Sequence, residues 1–142
     1  IIKDIVLISK VIDGKFPDYE KVIPSDTRKE VLANVVDFIS AVDRIKSLSA
    51  DRKGVIKINI ENNKIRFFIN DTSSGEGIEE ISAVYEGDNL EIGFNSGYLM
   101  DIANCIQDEN IMLKPKDATS PIIIKDQKDP DSTYVVMPMR VV

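Results

Sequence analysis

The residues best suited to chemistry in this chain are clustered carboxylates, one thiol and a sulfur-rich apolar run near the C-terminus. The carboxylates are Glu79 with Glu80, and Asp126, Asp129 and Asp131 in KDQKDPDS. Two acids in different environments can divide general-acid and general-base work. Glu79 and Glu80 are adjacent, however, and adjacent side chains on a strand point to opposite faces, so they are poorly placed as a pair. KDQKDPDS reads as a solvated turn, and it lacks the glycine and closing Glu of a calcium loop. Cys105 reads as a buried helical thiol with no histidine anywhere in the chain to activate it. The lack of histidine also removes the commonest general base near neutral pH and the commonest metal ligand. Neither a G-x-x-x-x-G-K-[ST] phosphate loop nor a G-x-S-x-G elbow occurs. A small hydrolase or transferase is therefore the weaker reading, and no catalytic residue, metal or cofactor is expected. The run VVMPMR, with Met137, Met139 and Arg140, reads by itself as core strand whose methionines fill gaps.

The elements that would position these residues follow from periodicity. Residues 4–11 alternate loosely and are rich in Ile and Val, which predicts a strand. DGKFPDYEKVIPSD, with two prolines and a glycine, is a connector. A short strand over 30–33 precedes an amphipathic helix over about 35–50, with Asn34 as N-cap and Asp37 in the first turn. GVIKINIENN, IRFFIN, IEEISAVYEG and LEIGFN predict four strands. A second helix over 96–107 begins after Asn95 and is followed by strands in IMLKPK, SPIIIKD and TYVVMPMRV. A strand, a helix and three strands thus recur about 60 residues apart. Two such β-α-β-β-β units imply an α+β fold, with two helices packed on one side of a curved, mostly antiparallel sheet.

The chain has 142 residues, 43% of them hydrophobic and 30% charged, which suits one soluble globular domain with a real core. The net charge of -6 counts against a broadly basic nucleic-acid surface. The single cysteine cannot form an internal disulfide, which fits a reducing, cytoplasmic setting. No apolar run is long enough to span a bilayer, and IIKDIVLISK lacks the parts of a secretory signal. The first residue is not Met, and the chain is expected to be a piece of a longer protein.

Three stretches carry a family resemblance. TYVVMPMRV resembles the terminal strand and tail of bacterial sliding clamps, the beta subunits of DNA polymerase III. IDGKFPDYEKVIP resembles the connector between their middle and last domains, and IGFNSGYLMDI the segment that opens the second helix of the last domain. The resemblance covers essentially the whole chain. It implies that residues 1–24 are the end of the middle domain with its connector, and 25–142 the C-terminal domain. It also implies a non-catalytic processivity factor, homodimeric in its full length. Such a ring encircles duplex DNA and binds the catalytic polymerase, the clamp loader and repair proteins, with no membrane partner. A standalone peptide-binding module of the same fold is the alternative from a different class.

The resemblance further implies three surfaces. A pocket for extended, partly hydrophobic peptides would include Pro17, Lys21, Val22, Asn95 and Tyr98. Thr119, Pro121, Val135, Val136, Met137, Pro138, Met139 and Arg140 would complete its share of that pocket. A ring-closing surface would use Ile45, Leu48, Glu76, Glu79 and Glu80. Arg28, Lys29, Arg44 and Lys46 would face DNA, although the second helix has no basic residue to join them.

Overall fold

The computed structural model describes residues 4–27, 29–48, 54–71 and 75–140. A one-turn helix, α1 (Tyr19–Val22), lies in the connector. The first repeat unit is β1 (Val31–Asn34), α2 (Val35–Ser47), β2 (Val55–Glu61), β3 (Lys64–Asp71) and β4 (Gly75–Val84). The second is β5 (Leu90–Asn95), α3 (Ser96–Ala103), β6 (Asn110–Lys114), β7 (Ile122–Asp126) and β8 (Asp129–Val136).

α2 and α3 each start where a strand ends on asparagine. The Asn34 side chain accepts the N–H groups of Val36 and Asp37 at 3.0 and 3.1 Å. Asn95 does the same for Gly97 and Tyr98 at 2.9 and 3.4 Å. Each cap satisfies helix N–H groups that have no partner within the helix. Replacing Asn34 with alanine removes this and is expected to destabilise the fold by about 1 kcal/mol, read as a lower urea midpoint at unchanged slope.

Among the described residues eight strands form one sheet in the order β5-β2-β3-β4-β1-β6-β7-β8, with every neighbouring pair antiparallel. The two units are interleaved. β1 of the first pairs with β6 of the second, and β5 of the second pairs with β2 of the first. The helix entries are tied in the same crossed way. Val35 donates its N–H to the Glu109 carbonyl at 2.9 Å, and Ser96 donates to the Gly54 carbonyl at 2.8 Å. Gly54 sits at φ 55°, a left-handed conformation open to glycine, and a Cβ there would lie 2.8 Å from the Ser96 hydroxyl oxygen.

The core lies between the sheet and the two helices. α2 buries Val35, Phe38, Ala41, Val42 and Ile45 at helical spacing. Phe38 meets Phe67 of β3 edge-on, with ring centroids 5.4 Å apart. From the strands, alternate residues such as Ile56, Ile58 and Ile60 face inward.

The α+β architecture and its repeat stand as expected, with four departures. Residues 4–11 do not form the expected strand: a single bridge occurs at Ile5, and the side chains are exposed. Without a sheet to pair with, Ile/Val propensity alone does not hold a strand. α3 ends at Ala103 rather than near 107, because Cys105 and Ile106 donate to carbonyls three residues back and the helix tightens away. Cys105 is exposed, not buried, because it falls beyond that helix end. Asp126, read as part of a solvated turn, is 2% exposed.

Asp126 is the reason the chain turns where α3 stops. Its carboxylate accepts the N–H of Gln107 at 2.7 Å and that of Lys128 at 2.9 Å, pinning the segment after α3 to the β7–β8 hairpin. These backbone hydrogen bonds, led by Gln107, hold its pKa below the usual carboxylate range. A depressed folded pKa gives stability that is present above the unfolded value of about 4 and is lost as pH falls through the folded value. Asp126→Asn is therefore expected to melt lower than the parent at neutral pH. The gap should narrow below about pH 4, as followed by circular dichroism.

Candidate partner-binding surface

After β8 the chain continues as Met137–Arg140 and crosses to the far edge of the sheet. There the Met139 N–H donates to the Gly93 carbonyl at 2.8 Å, an isolated antiparallel bridge. The tail thereby occupies, beside β5, the place that β4 occupies beside β1. Next to it runs the β6–β7 connection, shaped by one carboxylate. Asp117 accepts the Thr119 N–H and hydroxyl at 2.8 and 2.9 Å, and the Ser120 N–H and hydroxyl both at 2.7 Å. Four donors hold its pKa far below the usual range, with the Ser120 hydroxyl first among them.

Between the tail and this connection lies an open cleft of about 380 Å³. Four of its lining residues were expected from the sequence: Thr119, Pro138, Met139 and Arg140. Four were not: Lys57, Glu91, Gly93 and Ala118. Lys57 and Glu91 form an ion pair at 3.0 Å on the outer face of β2 and β5. Cross-strand pairing was the only signal that could have added them, since neither belongs to the motifs that drew attention to the tail.

The other expected pocket residues are placed unevenly. Met137 and Tyr98 are exposed, at 56% and 62%. Val135 and Pro121 are half-buried. Asn95 has its side-chain oxygen committed to the α3 cap. Val136 is corrected: it is 3% exposed and part of the core, because alternation along β8 turns it inward. Pro17, Lys21 and Val22 lie on the connector and do not line the cleft, and Lys21 pairs with Asp18 at 3.5 Å.

The expected ring-closing residues gather at one sheet edge. β4 pairs with β3 along Gly75–Ser82 but with β1 only through Ala83 and Val84, so among the described residues no strand lies along the other side of its first part. Glu76 and Ile78 are exposed there. Leu48 is 46% exposed, and its methyl group occupies the space a side chain at Gly77 would need. Ile45 is corrected: it is fully buried beneath this surface and supports it without reaching a partner.

The acids are largely spoken for. Glu79 binds Arg44 at 2.9 Å, and Glu80 binds Arg66 at 2.7 Å. Those hydrogen bonds lower the carboxylate pKa values and raise those of the arginines. Arg44 is thus engaged by Glu79 at the edge of α2. Lys46 is exposed, Lys29 is half-buried and Arg28 lies outside the described residues. Asp37, Asp43 and Asp101 share the helical surface with them. Among the described residues no group of three or more His, Cys, Asp or Glu side chains could hold a metal ion, and no helix is long and apolar enough to cross a membrane.

Two helices on one side of a curved antiparallel sheet, doubled by an internal repeat, define a DNA-clamp domain fold. The family model for the C-terminal domain of the DNA polymerase III beta subunit matches residues 20–140. The chain belongs to that family. It is 38% identical over 135 residues to a beta sliding clamp of Caulobacter vibrioides, covering 95% of this chain and 36% of the relative. A beta sliding clamp of Haemophilus influenzae is 33% identical over 139 residues, covering 98% and 38%. Among solved structures, a sliding clamp from Bartonella birtlesii bound to griselimycin superposes with a TM-score of 0.87 at 40% identity. It covers 94% of this chain and 36% of that one. The chain therefore spans little more than a third of the relatives it matches.

Proposed function

We propose that this chain is the last domain, residues 25–142, with the preceding connector and the end of a middle domain, residues 1–24, of a processivity clamp. The whole protein is a homodimeric ring that encircles duplex DNA in the cytoplasm and holds the replicative polymerase on its template. It catalyses nothing itself. Polymerase, loader and repair proteins dock extended segments on the tail face, around Met137, Met139 and Tyr98.

The observation that carries this reading, beside family membership, is the pair of vacant strand edges. Among the described residues, one is the first part of β4 and the other is β8, which pairs there only with β7. They are equivalent in the two repeats. A strand edge recruits another strand, so a domain with two related edges can be joined to a neighbour on each side. The edge beside Leu48 and Glu76 closes the ring, and the edge beside the tail joins the middle domain. Because Glu79 and Glu80 are already paired within the domain, Glu76 meets a basic partner first.

Charge fits a topological grip. The net charge is -6, and the helices present acids with their few bases, so DNA is retained by enclosure and not by phosphate contacts. The parent protein, loaded on a nicked circular plasmid, is expected to stay bound at physiological salt and to be lost once the plasmid is linearised. Equal retention on circular and linear DNA sinks the reading. The present chain alone is expected to bind duplex DNA weakly and with strong salt dependence, measured by fluorescence anisotropy.

A further inference from the structure

The side chain of an aspartate or asparagine can be attacked by the backbone nitrogen of the next residue, which closes a succinimide ring. The attack is easiest where the next residue has no side chain, where its N–H is not held in a hydrogen bond, and where no helix or strand fixes the backbone. Glycine follows aspartate or asparagine at one place in the sequence, Asp13–Gly14. Both residues are exposed, and the chain bends there outside any helix or strand. Among the described residues no hydrogen bond holds the Gly14 N–H. Elsewhere the same reaction is shut off. Asn62 precedes Asn63 in the β2–β3 turn, but the Asn63 N–H donates to the Tyr85 carbonyl at 3.1 Å. The N–H groups after Asn34 and Asn95 donate to the carbonyls of Glu109 and Gly54, while both asparagine side chains cap helices. After Asn104, the Cys105 N–H donates to the Ile102 carbonyl at 2.9 Å.

We propose that Asp13–Gly14 is a modification site, where the main chain rearranges to β-linked isoaspartate and becomes a substrate for a methyltransferase of the isoaspartate-repair class, with S-adenosylmethionine as methyl donor. In the first step the Gly14 nitrogen bonds to the side-chain carbonyl carbon of Asp13. The carboxyl hydroxyl leaves as water, taking the amide proton. Water then opens the succinimide at the former main-chain carbonyl, so the chain runs on through the side-chain carbon and the α-carboxylate is freed. The methyltransferase moves a methyl group onto that carboxylate and releases S-adenosylhomocysteine. The Gly14 nitrogen then displaces methanol and regenerates the succinimide. Charge is unchanged by the rearrangement, but the connector gains one main-chain carbon ahead of Phe16, Pro17 and α1. The site is independent of the reading of the tail.

The test ages the chain in mildly acidic buffer, then adds an isoaspartyl methyltransferase with radiolabelled S-adenosylmethionine and locates the label by peptide mapping. Label is expected at residue 13, and Asp13→Ala should abolish it there. A Cβ at Gly14 would meet nothing within 4 Å, so Gly14→Val fits the fold. It should slow the appearance of label by about tenfold or more, because a branched side chain hinders the attack. A synthetic peptide of residues 10–18, aged beside the chain, should form isoaspartate at a rate within about tenfold of that in the folded chain. A chain slower than its peptide by more than that overturns the site, since the fold would then hold Asp13 shut. No label at residue 13, or equal label at any other residue, overturns it as well.

Discussion

Replacing Met137 and Met139 together with alanine is expected to weaken a clamp-binding peptide by at least tenfold, more than replacing any two surface acids. Both methionines are partly exposed on the tail, at 56% and 37%, which is where a ligand has apolar surface to cover. A buried Leu or Phe of the peptide gains roughly 1.5–3 kcal/mol from leaving water, and the methionines form the wall that lets it do so. A surface acid acts mainly through screened charge. Calorimetry with a short polymerase peptide, on a protein that includes the middle domain, reads the difference. Equal binding by a folded double variant removes the tail from the site and returns VVMPM to the role of plain core strand.

The largest effect on stability is expected from Phe67→Ala, at about 3–5 kcal/mol. Phe67 is fully buried, stands on β3 near the middle of the sheet, and packs its ring against Phe38 of α2. Its removal opens a cavity where helix and sheet meet, and the surrounding β-branched side chains have few rotamers with which to close it. Chemical denaturation should show a lower midpoint. A loss below about 1 kcal/mol would mean that the helix relaxes onto the sheet and that this contact is not central.

Much of this was legible in the sequence, for physical reasons that also explain what was not. The two asparagine caps and the changes of period from two to 3.6 are local, so both helix starts were readable at Asn34 and Asn95. The end of α3 was not, because it depends on Asp126, 19 residues beyond Gln107, whose backbone it binds. Cys105 and Asp126 exchanged their expected environments for that one reason. The tail was found through its motif, but Lys57 and Glu91 reach the same cleft only by the pairing of β2 with β5, which no local pattern records. The pairing of Glu79 with Arg44 was hidden in the same way, although each residue stands out in the sequence for a separate surface.

The crossed pairing of the halves bears on the origin of the domain. A single β-α-β-β-β unit leaves its first strand without the partner that the other unit supplies, and its helix entry without the carbonyl across from it. At about 60 residues such a unit buries little surface on its own. Two copies would complete each other through one isologous contact. The connection after β4 turns that contact into a covalent one, so the present domain has the geometry of an obligate homodimer fused into one chain. Once both copies lie in one chain, they are free to diverge. Two residues before its asparagine cap the first copy has Leu32 and the second has Gly93, and a seven-residue connection in the second stands where the first has a two-residue turn; both are marks of that divergence.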